Sequence, residues 1–184
     1  MIEITSAEKK QLLKLSRKIL ENELENKNHS LENDNTKFDK KRGVFVTINN
    51  KKTLRGCIGY IKPIDTIWNS VIRMTKSAAF NDPRFASIEK DELSDLDIEI
   101  SVLSKLIKVR NIEDIQVGRD GLLIKKGFNS GVLLPQVATK NNWDSKTFLE
   151  NTCWKAGLNK NCYENEDVEI FRFEADVFSE SEMI

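Results

Sequence analysis

Residues 44–60 read VFVTINNKKTLRGCIGY, and the fold class follows from this stretch. Val44-Phe45-Val46-Thr47-Ile48 is β-branched and aromatic, as a half-buried strand requires, and Asn49-Asn50 with Lys51-Lys52 forms a turn. Thr53 to Tyr60 returns as a second strand, so the pair reads as an antiparallel hairpin. Side chains alternate across a strand. Leu54, Ile58 and Tyr60 therefore share one face, with Gly56 between them, while Arg55 and Cys57 share the other, with Gly59 beside them. Glycines inside a strand weaken it and mark a bulge or a close approach by backbone or ligand.

Working outward, residues 5–25 read as an amphipathic helix, with Thr5 and Glu8 at capping-box spacing and Leu12, Leu13, Ser16, Ile19, Leu20 and Leu24 on one face. The polar run ENELENKNHSLENDNTKFDKKR follows and reads as a helix end plus a flexible loop over about 26–42. Beyond the hairpin, a helix runs from about Asp65 to Phe80, with Ile64, Ile67, Trp68, Val71, Ile72 and Ala79 as its buried stripe. Asn81-Asp82-Pro83 ends it, in a turn where Phe85 anchors inward and Arg84 projects. Ile98 to Leu103 is a strand, and Leu122-Leu123-Ile124 and Val132-Leu133-Leu134 flank GFNSG as a second hairpin. Asp144 or Ser145 caps a helix that Gly157 stops. In the last strand, Glu169 to Phe178, Phe171, Phe173, Ala175 and Val177 face one way and Arg172, Glu174 and Asp176 the other. The expected fold is α+β, a mainly antiparallel sheet flanked by helices, as a two-lobed single domain over residues 1–184.

Composition narrows the function classes. Among 184 residues, 29 Lys+Arg offset 29 Asp+Glu, which removes the electrostatic argument for binding a phosphate backbone or an anionic membrane. No apolar run approaches the roughly 20 residues that span a bilayer, and the first residues carry charges where a signal peptide is apolar, so a cytoplasmic protein is expected. The three cysteines, Cys57, Cys153 and Cys162, show no CxxC, which fits a reducing compartment and argues against a disulfide framework and a zinc site. Cys153, beside Trp154, reads as packing and Cys162 as an incidental loop cysteine or strand start. Trp68, Trp143 and Trp154 read as core or lobe-packing residues rather than a base-stacking platform. The single histidine, His29, reads as a solvated loop residue, which disfavours Ser-His-Asp and Cys-His catalysis within the chain. No metal site and no cofactor are expected.

The segment Leu54–Tyr60 carries the chemical information. A guanidinium two residues from a thiol on one strand face would stabilise the thiolate, or bind a carboxylate or phosphate itself. The structural alternative makes Cys57 a small core hydrophobe and Arg55 a surface ion pair. Arg84 and Arg119, the latter in Gly118-Arg119-Asp120-Gly121, are either turn residues with solvated charges or, with Arg55, the lining of an anion-accepting pocket.

Leu54-Arg55-Gly56-Cys57-Ile58-Gly59 resembles the signature of the AMMECR domain family, named for a chromosomal region linked to Alport syndrome and midface hypoplasia. Phe45-Val46-Thr47 precedes it in the family's order. Ala78-Ala79, Asp82-Pro83-Arg84-Phe85, Glu99-Ile100-Ser101-Val102-Leu103-Ser104, Gly118-Arg119-Asp120-Gly121-Leu122, Leu133-Leu134-Pro135-Gln136-Val137-Ala138 and Lys155-Ala156-Gly157-Leu158 follow, so the resemblance spans about residues 5–178. It implies a compact α+β fold with a larger and a smaller lobe, a cleft near the cysteine strand, and no settled biochemical activity. For prokaryotic members it implies protein A of the AmmeMemoRadiSam system, a three-protein modification system with a Memo-like protein and a radical S-adenosylmethionine protein as partners. Many relatives carry a histidine where Asp120 stands here. A carboxylate near Cys57 would raise its thiol pKa rather than lower it.

Two functions of different class follow. In the first, the chain is a binding component whose Arg55–Cys57 strand face, with Gly56, Gly59, Arg84 and Arg119, forms a ligand or substrate cleft. In the second it is a thiol-dependent enzyme, with Cys57 as nucleophile or redox residue, Arg55 and Arg119 holding an anionic substrate and Asp120 handling protons. A nucleic-acid-binding role ranks third, since no basic face accompanies it.

Overall fold

The computed structural model describes residues 4–27 and 32–183, so His29 lies outside the described residues. The chain forms two compact units, one running to Leu103 and resuming at Asp176, the other Ser104–Ala175.

The first unit begins with α1 (Ser6–Leu24), where Thr5 and Glu8 close the expected capping box. Strands β1 (Val44–Asn50), β2 (Thr53–Tyr60) and β3 (Leu96–Leu103) follow, with α2 (Ile67–Phe80) between β2 and β3. They pair antiparallel in the order β2-β1-β3. Val44, Val46 and Ile48 of β1 and Ile98, Ile100 and Val102 of β3 are buried together with Leu12, Leu15, Ile19 and Leu20 of α1 and Val71, Met74, Ala78 and Ala79 of α2. Burying each large apolar side chain contributes about 1.5–3 kcal/mol, so this shared face holds the unit together. The odd-numbered residues of β1, Phe45, Thr47 and Asn49, take the opposite face.

Local readings differ in four places. The segment read as a flexible loop carries a 3-10 turn at Thr36–Asp39, capped by Asn35, because Phe38 is fully buried and stacks on Trp68 with ring centroids 6.0 Å apart. Helix α2 starts at Ile67 behind an N-cap at Thr66, which leaves Ile64 exposed before the helix rather than on its stripe. Leu54 is exposed, while Ile58 and Tyr60 pack on the core as expected. After α2 the inward anchor is the buried Ile88, whose N–H bonds Ala79 O at 3.0 Å, and not the half-buried Phe85.

The second unit contains β4 (Ile107–Lys108), β5 (Asp120–Lys126), β6 (Asn129–Leu133), α3 (Pro135–Lys140), α4 (Ser145–Lys155) and most of β7 (Glu169–Ser179). Its strands run β4-β7-β5-β6, all antiparallel. Asp144 caps α4 by accepting the Thr147 N–H at 2.7 Å, and Gly157 follows it in the left-handed region at φ +73°. The side of β7 that bears Arg172 is not a solvent face. Ile170 lies there beside Ile124 in a cluster with Leu122, Phe148 and Leu149. Trp68 is buried and Trp143 half-buried, but Trp154 is 70% exposed and belongs to no core. No helix among the described residues is long and apolar enough to cross a membrane.

Cys153 and Cys162 form a disulfide, with Cα atoms 5.8 Å apart, which corrects the expectation that neither pairs. The reason is tertiary. The Gly157 turn reverses the chain after α4, and a 3-10 turn at Cys162–Glu164 brings Cys162 back against the buried Cys153. A cross-link across a sequence separation of 9 constrains the unfolded chain by roughly 2–3 kcal/mol. Reduction, or Cys162→Ser, is expected to lower the thermal midpoint by about 5–10 °C in a chain of this size, checked by melting with and without reductant. A Cys162→Ser midpoint that matches the oxidised wild type would contradict the cross-link.

Candidate functional site

The site is built on an edge strand. The Leu103 N–H bonds Gly43 O at 2.9 Å, so odd residues of β1 direct their backbone groups toward β3 and even residues toward β2. On β2, Gly56, Ile58 and Tyr60 therefore bond β1, and the N–H and C=O of Arg55, Cys57 and Gly59 point outward. An open edge invites pairing with another chain unless something covers it.

At Cys57 the cover is an ion pair. The Cys57 N–H donates to Asp82 Oδ2 at 2.9 Å, and Arg84 Nη2 donates to the Cys57 carbonyl at 3.1 Å. Together these two side chains make the bonds that a neighbouring strand would make. Asp82 also accepts from the Arg84 backbone N–H at 3.1 Å, Nε at 3.0 Å and Nη2 at 2.7 Å. The Arg84 guanidinium, aided by the Cys57 N–H and opposed by burial, holds the Asp82 carboxyl far below the usual carboxylate range.

Two residues back along the strand, Arg55 grips the same connecting segment. It makes a bidentate pair with Glu92, Nε–Oε2 at 2.7 Å and Nη2–Oε1 at 2.9 Å, and donates to Ala86 O at 2.7 Å and Ser87 O at 3.1 Å. The Arg55 contact, opposed by burial, lowers the Glu92 pKa from 4.5 to about 2. Arg55 is thus engaged with a carboxylate of its own chain.

The glycines serve packing. A Cβ on Gly56 would lie 2.1 Å from Ala78 O, so Gly56 lets α2 approach the strand. A Cβ on Gly59 would lie 2.2 Å from Cγ of Phe45, whose ring covers that position.

Cys57 is a free, half-buried thiol. Thr47, directly across β1, donates from Oγ1 to Sγ at 3.3 Å. Glu99 of β3 pairs with Thr47 on the far side, so Cys57, Thr47 and Glu99 form one cross-strand row on the face away from the helices. Thr47 and Glu99 were not singled out from the sequence, although the hairpin register already placed Thr47 opposite Cys57. Asp82 was visible only as a turn residue.

Arg119 and Asp120 belong to the second unit. Asp120 is fully buried and accepts Arg119 Nε at 2.9 Å and Nη2 at 2.7 Å, the Gln116 N–H at 2.8 Å, and Arg172 Nη1 at 3.4 Å. Burial, the largest single influence, would raise its pKa, but Arg119, the Gln116 N–H and Arg172 outweigh it and the net shift is downward. The result is a charged staple for the Gln116–Asp120 turn. Among the described residues no group of three or more His, Cys, Asp or Glu side chains is placed to hold a metal ion.

The sequence model of the AMMECR1 family matches residues 13–178. The chain belongs to the AMMECR1 family. It is 42% identical over 177 residues to a protein of Methanothermobacter thermautotrophicus, covering 92% of each, and 40% identical over 181 residues to one of Thermococcus kodakarensis, covering 92% of this chain and 88% of that one. The crystal structure of an uncharacterized protein from Pyrococcus horikoshii matches with a TM-score of 0.86 at 37% identity, over 92% of this chain and 90% of that one. The α+β class with its antiparallel sheet and flanking helices is therefore shared with a relative of known structure.

A carboxyl with a depressed folded pKa stabilises the fold above its unfolded value, and that contribution is lost as pH falls through the folded one. The Glu92 contribution is thus expected to be complete above about 4.5 and to vanish as pH approaches about 2. Urea midpoints measured against pH should show a shallower acid limb in Glu92→Gln than in the wild type. Parallel limbs would contradict the Arg55–Glu92 assignment.

Proposed function

We propose that the sheet face around Cys57 is the working surface of this AMMECR1-family chain, and that the chain acts there as the binding component of a multi-protein modification system. The observation that carries the reading is the way Cys57 is presented. Its N–H and C=O are both held by the Asp82–Arg84 pair, while its thiol stays free of any disulfide. A strand edge closed by its own side chains gives a rigid, preformed surface, and rigid presentation lowers the ordering cost of binding. The family resemblance supplies the partner classes, a Memo-like protein and a radical S-adenosylmethionine protein, with the Arg55–Cys57 strand face as the ligand or substrate cleft. Arg55 supports this cleft from within through Glu92, and Arg84, with its side chain 54% exposed, is the guanidinium that remains open to a ligand beside it.

The second reading, a thiol-dependent enzyme, is favoured by the Thr47 hydroxyl, which donates to Sγ and would stabilise negative charge on sulfur. Asp120 does not support that reading as a proton carrier, since its acceptor positions are filled by Arg119, Gln116 and Arg172.

Native alkylation with iodoacetamide, read by mass spectrometry, is expected to label Cys57 and to spare Cys153 and Cys162 until they are reduced and unfolded. Pull-down with the Memo-like and radical proteins is expected to retain the wild type and to lose Arg84→Lys, which keeps a cation against the buried Asp82 but removes the guanidinium fork, and Cys57→Trp, with the folded state of each variant checked by circular dichroism. Retention of both variants at wild-type levels, or no retention of the wild type above a control protein, overturns the binding reading.

A further inference from the structure

Away from the cysteine strand, the first unit carries a groove of about 520 Å³ between α1 and the segment after β7, lined by Lys10, Leu13, Lys14, Arg17, Lys18, Glu21, Glu180 and Met183. Its charges are not equivalent. Arg17 is consumed by the fold, donating to Leu93 O and Leu96 O, both at 2.8 Å, and pairing through Nε and Nη2 with Glu180. Lys18 lies 3.5 Å from Glu21. Lys10 and Lys14, exposed and one helical turn apart, have no ion-pair partner among the described residues. The apolar part of the lining is the half-buried Met183 and the aliphatic stems of Lys10, Lys14 and Arg17, over the buried Leu13.

We propose that this groove binds a small anionic amphiphile, an alkyl phosphate or alkyl carboxylate, with its head on Lys10 and Lys14 and its chain along Met183 and the side-chain stems that cover Leu13. The positive surplus is two lysines, which matches a compact anionic head rather than a polyanion. The volume falls in the roughly 300–1,000 Å³ range of small-molecule sites. From Lys10 to Glu21 the helix rises roughly 16 Å, long enough to seat a medium-length alkyl chain. The site uses none of the residues of the Cys57 face, so it stands or falls separately from the function proposed above.

The test is a titration of the full chain with monomeric decyl phosphate, followed by backbone amide NMR. Saturable shifts are expected at Lys10, Leu13, Lys14 and Met183. The double variant Lys10→Glu/Lys14→Glu should bind about tenfold more weakly or worse, whereas the charge-matched Lys52→Glu/Lys62→Glu should bind as the wild type, with both variants melting normally. Decanol should bind more weakly than decyl phosphate. The proposal is overturned by absent or non-saturable shifts, by equal weakening in the two double variants, or by decanol binding as tightly. Co-sedimentation with phosphatidylglycerol vesicles without binding of the monomer would make the lysines a lipid-surface contact and overturns it as well.

Discussion

The Asp82 carboxylate, buried and ionised against Arg84, closes the outer edge of β2 at Cys57, and the geometry of the candidate site depends on it. An edge strand has unpaired backbone groups at every second residue, and burying them unsatisfied costs about 1–3 kcal/mol each. Here a side-chain ion pair supplies both the missing acceptor and the missing donor. The charge on Asp82 is itself tolerable because Arg84 and the Cys57 N–H meet it; a buried carboxylate stripped of its partner is typically destabilising by about 3–5 kcal/mol. Strand edge and buried charge therefore satisfy each other.

The same device recurs with different partners. Arg55 and Glu92 tie the segment after α2 to β2, and Arg119 and Arg172 surround Asp120 in the second unit. Each arginine that the sequence offers as an anion ligand thus meets a carboxylate of its own chain. What remains outward is narrower: the exposed side of Arg84, the Cys57 thiol with Thr47, and Lys10 and Lys14 of α1.

The cysteines divide by tertiary context rather than by spacing. Cys153 and Cys162 are joined within the second unit's core, while Cys57 lies on an open strand face of the first unit. A disulfide is ordinarily a sign of an oxidising compartment, although intracellular proteins of some hyperthermophiles carry them too. The cross-link therefore bears on stability without assigning a compartment.

The sequence by itself determined the elements whose signals are local. Alternation placed β1, β2 and β7, the capping box placed the start of α1, and Gly157 placed the end of α4, because each depends on residues within one or two turns of chain. The hairpin also set which side chains share a face with Cys57. Tertiary structure decided everything that depends on a partner distant in sequence. Glu92 lies 37 residues from Arg55 and Asp82 lies 25 from Cys57, so no local pattern announces either bond. Phe38 reads as loop until Trp68 stacks on it, and Cys162 reads as incidental until a turn returns it to Cys153. Backbone preference and side-chain periodicity are carried by neighbours along the chain. Charge pairing, burial and cross-linking are carried by neighbours in space, and only the folded chain creates those.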